Sequence, residues 1–308
     1  MGTAAFAVPS LRALVAAGHT VPLVVTQPDR PAGRGQVPTP PPVKVAAAAL
    51  GLPVWQPESL RDPAAAERLA RLAPDAIAVA AYGKILPPAI LDIPRLGCVN
   101  VHASLLPKYR GAAPVQWALY HGEPETGVTI MRMDPGLDTG PILLARRVPV
   151  GPDEDAEALT ARLAEMGAAA LVEALARLEA GDLVPVPQDD AAATYAPPLR
   201  KEQGRIDWRR PARMLHNQVR AFRPWPGSLT LFEGRPVKVL RTRVLEGPAG
   251  PTRPGEPGEV VGVGPEGIAV ATGEGVLLLA EVQPAGGRAM GGAEFARGAR
   301  ITPGMRFA

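Results

Sequence analysis

Over residues 1–180, short apolar runs alternate with stretches in which apolar positions recur every three or four residues. Val21 to Thr26 (VPLVVT), Ala76 to Tyr82 (AIAVAAY) and Cys98 to His102 predict strands. The second is apolar on both faces, as in a buried parallel sheet. Pro9 to Ala17, Ala64 to Leu72 and Pro114 to His121 predict helices, the first with Ser10 near its start and Gly18 as its stop. Thr126 to Met133 and Ile142 to Val150 predict two further strands, paired antiparallel around the turn-rich DPGLDTGP. A long helix over residues 155–178 follows, with Leu159, Leu163, Met166 and Ala170 on one stripe. The alternation predicts an open, mainly parallel α/β sheet.

From Gly181 to Pro198 the periodicity gives way to Pro, Asp and Ala, which predicts a linker over residues 181–200. One helix, Pro211 to Phe222, then precedes five short strands bounded by Gly and Pro. They are Ser228 to Phe232, Val237 to Val244, Glu259 to Val263, Ile268 to Thr272 and Val276 to Val282. Such a run predicts a small β-barrel of the OB type. Two domains are expected, 1–180 and 201–308.

Composition narrows the class. Hydrophobic residues make up 46% of the chain, yet no apolar run approaches the ~20 residues of a membrane span. No charged-then-apolar leader opens the chain, and a cytoplasmic setting is expected. The single cysteine, Cys98, excludes an intrachain disulfide framework and a cysteine-based zinc site. Charge changes the picture most. Residues 1–200 hold 17 basic and 20 acidic side chains, whereas residues 201–308 hold 16 and 10. A basic second domain predicts a polyanionic partner for a catalytic first one, against the plainer reading of a solvated basic face.

The chain has two Asn, four His and four Ser, and Asn100, His102 and Ser104 crowd into NVHAS. Parallel α/β sheets bind ligands beyond the carboxyl ends of their strands, where His102 should fall. Asn100 lies two positions earlier and shares its strand face. An amide donor beside an imidazole suits stabilising an oxyanion and moving a proton near neutral pH. A histidine that caps the following turn is the structural alternative. A Ser104–His102 nucleophilic pair is disfavoured, because one residue separates them and no GxSxG elbow is present. His19, His121 and His216 are scattered without ligand spacing, so no metal site is expected. The missing carboxylate is sought in MDPGLDTGPIL, where Asp138 lies between Gly136 and Gly140. Asp134 nearby suits capping a turn.

These residues carry a family resemblance. NVHASLLPKYRGAAPVQWAL, LDTGPIL and TQPDRPAGRG, with RIDW, RPWPGS and VQPAGGRAM later on, span nearly the whole chain. They resemble the folate-dependent formyltransferases, and within them the methionyl-tRNA formyltransferases. The resemblance implies a Rossmann-like formyltransferase fold followed by an OB-like tRNA-binding domain. It implies formyl transfer from 10-formyltetrahydrofolate to the methionine amino group of initiator tRNA, supporting translation initiation. Asn100, His102 and Asp138 match the family's catalytic trio: Asn100 and protonated His102 would hydrogen-bond the oxyanion, and Asp138 would orient the imidazole. Ser104, Leu105, Leu106 and Pro107 match the folate-contacting segment, with Tyr82, Ile85 and Leu86 bordering the pterin pocket. Arg30 and Arg34 belong to a segment resembling the loop that enters the tRNA acceptor end. Lys201, Arg205 and Arg220 are expected to contact tRNA phosphates. Implied partners are initiator methionyl-tRNA and the folate donor, with no metal, no membrane and a monomeric chain.

The family also has a short apolar strand before Gly-Thr, for which a chain opening MGTAAFAVPSL leaves no room. A start assigned at an internal Met is the expected cause, and Ala4 replaces the family's usual Pro. Two rivals remain. A formyltransferase of the same fold acting on glycinamide ribonucleotide or an amino sugar, or a deformylase, would keep the trio. Neither needs residues 201–308 or RPAGRG. A tRNA-binding module that no longer catalyses would bind tRNA without folate.

Overall fold

The computed structural model describes residues 1–32, 37–245 and 255–308. Contacts divide them into two compact units: Met1–Pro114 with Glu125–Pro149 and Thr160–Pro197, and Val115–Pro124 with Val150–Leu159 and Pro198–Ala308.

The first unit begins with α1 (Val8–Ala16), β1 (Val24–Val25) and an arm of β2 (Arg30–Ala32) and β3 (Val37–Thr39). Then come α2 (Pro42–Ala49), β4 (Val54–Trp55), α3 (Pro63–Ala70), β5 (Ile77–Ala80), α4 (Pro88–Leu91), β6 (Cys98–His102) and β7 (Arg110–Gly111). After α5 (Pro114–His121), which from Val115 on belongs to the second unit, follow β8 (Glu125–Arg132), β9 (Ile142–Pro149), α6 (Ala156–Ala180, in the first unit from Thr160 on) and β10 (Tyr195–Ala196). Strands β1 and β4 pair in parallel, as do β5 and β6. Antiparallel β8 and β9 extend the second pair in the order β5-β6-β8-β9. The sheet is thus Rossmann-like, with the hairpin that DPGLDTGP predicts at its end.

Helix α6 reaches this sheet through a glycine. A Cβ on Gly167 would fall 2.6 Å from Val101 Cγ1, so no larger residue allows so close an approach. Leu163 and Ala170 of the expected stripe are buried beside it, while Met166 is only half-buried. A second apolar layer gathers Val25, Leu69, Val79, Tyr82, Leu86 and Ile90.

Strands β1 and β5 are joined through the first residues of the chain. Gly2 N donates to Val25 O (3.0 Å), Ala80 N donates to Met1 O (3.0 Å), and Gly2 forms a parallel bridge with Ala80. Burial lowers the Met1 amino group to about 6. A cavity of about 580 Å³ continues between the strands, lined by Val21, Leu23, Ile77, Leu11 and Leu175 among others.

Residues 182–197, expected within a linker, are fastened to the first unit. Val186 exchanges both backbone hydrogen bonds with Ile142 (2.8 Å each), and β10 pairs in parallel with β7.

In the second unit, α7 (Ala212–Ala221) precedes β11 (Ser228–Phe232), β12 (Arg235–Leu245), β13 (Val260–Gly264), β14 (Gly267–Ala271) and β15 (Val276–Pro284). Short β16 (Met290–Gly291) and α8 (Gly292–Gly298) follow. The antiparallel order is β11-β12-β15-β14-β13. Its two free edges meet on the last four residues. Leu231 and Ala308 exchange both backbone hydrogen bonds (2.8 and 2.9 Å), while Val260 N donates to Met305 O (2.8 Å). Closure satisfies edge groups that an open sheet would leave exposed, and it makes the barrel expected from the strand spacing. Phe307 packs into the core, with its ring centroid 5.0 Å from that of Phe232.

Helix α7 is tied down on its other side. His216 Nε2 donates to Pro152 O (3.0 Å), and its Nδ1 lies 3.0 Å from Thr242 Oγ1. Burial depresses the imidazole pKa, helped by Arg220 and Arg213 and opposed by the Pro152 bond and Asp153.

Replacing Phe307 with Ala is expected to cost about 3–5 kcal/mol of stability, read by urea denaturation. The depressed His216 pKa means the unfolded chain binds more protons below its ordinary value. Stability from this group is therefore present above about pH 6.5 and declines as pH falls toward the folded-state value. Thermal melts from about pH 7.5 to about pH 5.5 should show that decline, and His216→Gln should flatten it.

Candidate active site

The register of β6 builds the site. Asn100 pairs with Val79 of β5 and Met131 of β8, and His102 pairs with Thr129 of β8. Both side chains therefore project from one strand face at its carboxyl end. Asn100 is half-buried, and among the described residues nothing hydrogen-bonds its amide. His102 is buried.

The imidazole is held on both sides. Nε2 lies 2.9 Å from the Tyr109 carbonyl, which can only accept, so Nε2 carries the proton. Nδ1 faces Asp138 Oδ2 at 3.6 Å. That carboxylate oxygen also accepts from Gly111 N (2.9 Å). The expectation that His102 would hydrogen-bond an oxyanion directly needs correction: both ring nitrogens are turned to protein groups. In the charged form both would donate, to acceptors already in place.

Asp138 sits in a tight turn. Asp134 Oδ1 accepts from Gly136 N (3.1 Å) and Thr139 Oγ1 (2.7 Å), which is the capping role its position suggested. A Cβ on Gly140 would meet Arg132 O at 1.9 Å, so the turn closes only with glycine there. Asp138 itself takes φ +54, and Tyr109 takes φ +62. Left-handed non-glycine residues of this kind cost about 1–3 kcal/mol each and cluster at functional sites.

The SLLP segment is locked by a residue that sequence reasoning missed. Thr129 Oγ1 donates to Ser104 O (2.7 Å) and accepts from Leu106 N (3.1 Å). Ser104 is fully buried, and its hydroxyl donates to Lys108 O (2.6 Å). It shapes the turn, leaving Leu105 and Pro107 half-exposed beside it. Tyr82 and Leu86 are buried in the apolar layer, whereas Ile85 is 73% exposed. Burial raises the Tyr82 hydroxyl to about 12. Of the three residues expected at the pterin pocket, Ile85 alone presents its side chain to solvent. Thr129, Tyr109 and Gly111 carried no sequence signal, because their parts depend on pairing across the sheet.

The basic candidates separate. Arg30, Lys201 and Arg205 are exposed, and Arg34 lies outside the described residues. Arg220 is corrected: its side chain is buried in the second unit. Its Nε donates to Asn217 Oδ1 (3.0 Å), and Nη1 donates to the carbonyls of Gly151 (3.1 Å) and Glu154 (3.3 Å). Burial lowers its pKa, and its guanidinium has a structural task.

Comparison with known proteins fits this geometry. A family model described as formyl transferase matches residues 1–175, and one described as formyl transferase, C-terminal domain, matches residues 198–300. The chain belongs to the formyltransferase family. It is 52% identical over 307 residues to the methionyl-tRNA formyltransferase of Geobacter sulfurreducens, covering 100% of this chain and 95% of that one. It is 51% identical over 312 residues to the methionyl-tRNA formyltransferase of Synechococcus sp. strain JA-3-3Ab, covering 99% and 96%. A Helicobacter canadensis N-formyltransferase, solved with folinic acid and dTDP-3-aminofucose, shares the fold. Its TM-score is 0.66 at 18% identity, over 90% of this chain and 96% of that one. Among the described residues no helix is long and apolar enough to cross a membrane.

Thr129→Val would strip partners from two buried backbone groups, the Leu106 N–H and the Ser104 carbonyl. The expected loss is about 1–3 kcal/mol of unfolding free energy, measured by urea denaturation.

Proposed function

We propose that the chain transfers the formyl group of 10-formyltetrahydrofolate to the amino group of methionyl initiator tRNA, acting as a cytoplasmic monomer in translation initiation. The observation that carries this reading is full-length similarity, at about half identity, to proteins of that name in both units.

The site supplies chemistry suited to the step. The methionyl amine attacks the formyl carbon, and a tetrahedral oxyanion forms. Asn100, whose side-chain amide has no hydrogen-bond partner among the described residues, donates to that oxygen. His102 contributes as an imidazolium, held by Tyr109 O and Asp138, whose positive charge favours the developing negative one. The C–N bond to folate then breaks, and the proton released by the amine passes to the leaving nitrogen through a bound water. Leu105 and Pro107 of the locked turn, with exposed Ile85, would contact the donor. Arg30, Lys201 and Arg205 would meet tRNA phosphates, giving affinity that falls with salt.

The test is formyl transfer measured with methionyl initiator tRNA, glycinamide ribonucleotide and an amino sugar as acceptors. Activity is expected with the tRNA alone. Asn100→Ala, His102→Asn and Asp138→Asn should each lower kcat by about a hundredfold or more. Transfer to a small amine, or formate release in the absence of acceptor, would overturn the reading. So would salt-sensitive tRNA binding with no folate binding.

A further inference from the structure

The groups that hold His102 both stand on strained backbone, Tyr109 at φ +62 and Asp138 at φ +54. One segment, residues 186–196, is fastened to both. Thr194 Oγ1 accepts from Tyr109 N (2.8 Å), and Thr194 O accepts from Arg110 N (2.9 Å). Gln188 Nε2 donates to the carbonyls of Asp138 (2.8 Å) and Gly140 (2.7 Å). Its Oε1 accepts from Arg110 Nε (3.1 Å) and Nη2 (2.8 Å). Arg110 is 2% exposed, and its Nη2 also donates to Asp190 Oδ1 (2.7 Å).

Gln188 therefore uses its full capacity of two donors and two lone pairs. Its orientation is unambiguous, because a guanidinium only donates and a carbonyl only accepts. Two of its four bonds end on the turn that aims the Asp138 carboxylate, one of them on the Asp138 carbonyl itself. Without them the turn can relax toward the ordinary negative-φ region, which swings the carboxylate away from His102 Nδ1.

We propose that Gln188 is a positioning residue for the reaction, holding the Asp138 turn against His102 while buried Arg110 holds Gln188. The inference rests on the role given above to Asp138. It assigns a task in the chemistry to a stretch that carries no catalytic residue of its own. Gln188→Glu separates the two halves of the clamp. It keeps an acceptor for Arg110, loses both donors to the turn and sets a carboxylate against two carbonyls.

The experiment compares Gln188→Glu, Gln188→Ala and Asp138→Asn with the unaltered chain. Steady-state transfer from 10-formyltetrahydrofolate to methionyl initiator tRNA is measured beside amide hydrogen exchange. Both Gln188 variants are expected to lose about a hundredfold in kcat, with each KM held within about threefold. Exchange should quicken in residues 134–140 and stay unchanged in β5 and β6. Unchanged kcat in the Gln188 variants, with Asp138→Asn inactive, overturns the positioning role and leaves the Asp138 reading standing. Faster exchange throughout the first unit assigns Gln188 a general structural task and equally overturns it. Full activity in Asp138→Asn overturns the underlying reading, and the positioning role with it.

Discussion

The register of β6 between β5 and β8 is the constraint on which the first unit depends. With Val79 opposite Asn100 and Thr129 opposite His102, the two polar side chains share a face. Val101 turns the other way, toward Gly167 of α6. A slip of one residue would exchange those faces. It would bury the imidazole under the helix and move Thr129 away from the Ser104 carbonyl and Leu106 N–H that it joins. One alignment thus fixes the candidate site, the helix contact and the turn that follows the strand. Local propensity alone could not specify it, since Cys98–His102 is apolar on both faces apart from Asn100 and His102.

Much of this was legible in the sequence, for identifiable reasons. Strand β6 was bounded correctly because Gly97 and the SLLP turn punctuate it. The β8–β9 pair was marked by DPGLDTGP, Asn100 and His102 stood out as scarce side chains near a strand end, and Asp138 stood out between Gly136 and Gly140 in the turn. What stayed hidden depends on tertiary contact. Gln188 lies 50 positions from Asp138, in a Pro, Asp and Ala stretch that reads as a linker, and the four side-chain hydrogen bonds that give it a task all reach residues far away in sequence. Arg220 illustrates the converse: a basic residue in a basic domain suggests phosphate, yet burial against Asn217, Gly151 and Glu154 gives it a structural task. The closing of the barrel was also beyond periodicity, because Met305–Ala308 contribute mainly backbone groups to both edges.

The two units solve one physical problem in different ways. In the second, edge groups of the antiparallel sheet are satisfied by the chain's own last residues, and Phe307 fills the core at the same point. In the first, Met1 and Gly2 bridge β1 and β5, Thr3 Oγ1 and Gln27 Nε2 donate to Tyr82 O just beyond them, and a cavity continues between the strands. The barrel encloses its hydrogen bonds, whereas the α/β sheet leaves apolar walls apart. Beside the candidate site, β6 pairs with β8 and packs on α6 through Val101 and Gly167.

The geometry around His102 also decides how an imidazole would act there. A ring with both nitrogens turned to protein acceptors is a poor proton shuttle, because moving a proton requires breaking one of those contacts. Tyr109 O and Asp138 hold the ring in place from its two sides. Keeping the acceptors there has a cost: two left-handed non-glycine residues, at about 1–3 kcal/mol each. The four hydrogen bonds of Gln188, at about 0.5–1.5 kcal/mol each and more to a charged partner, are of the size needed to offset it. Strain at Tyr109 and Asp138 and the clamp from residues 186–196 are thus two parts of one arrangement. The segment that lacks reactive groups is what lets a strained turn hold a carboxylate beside the ring.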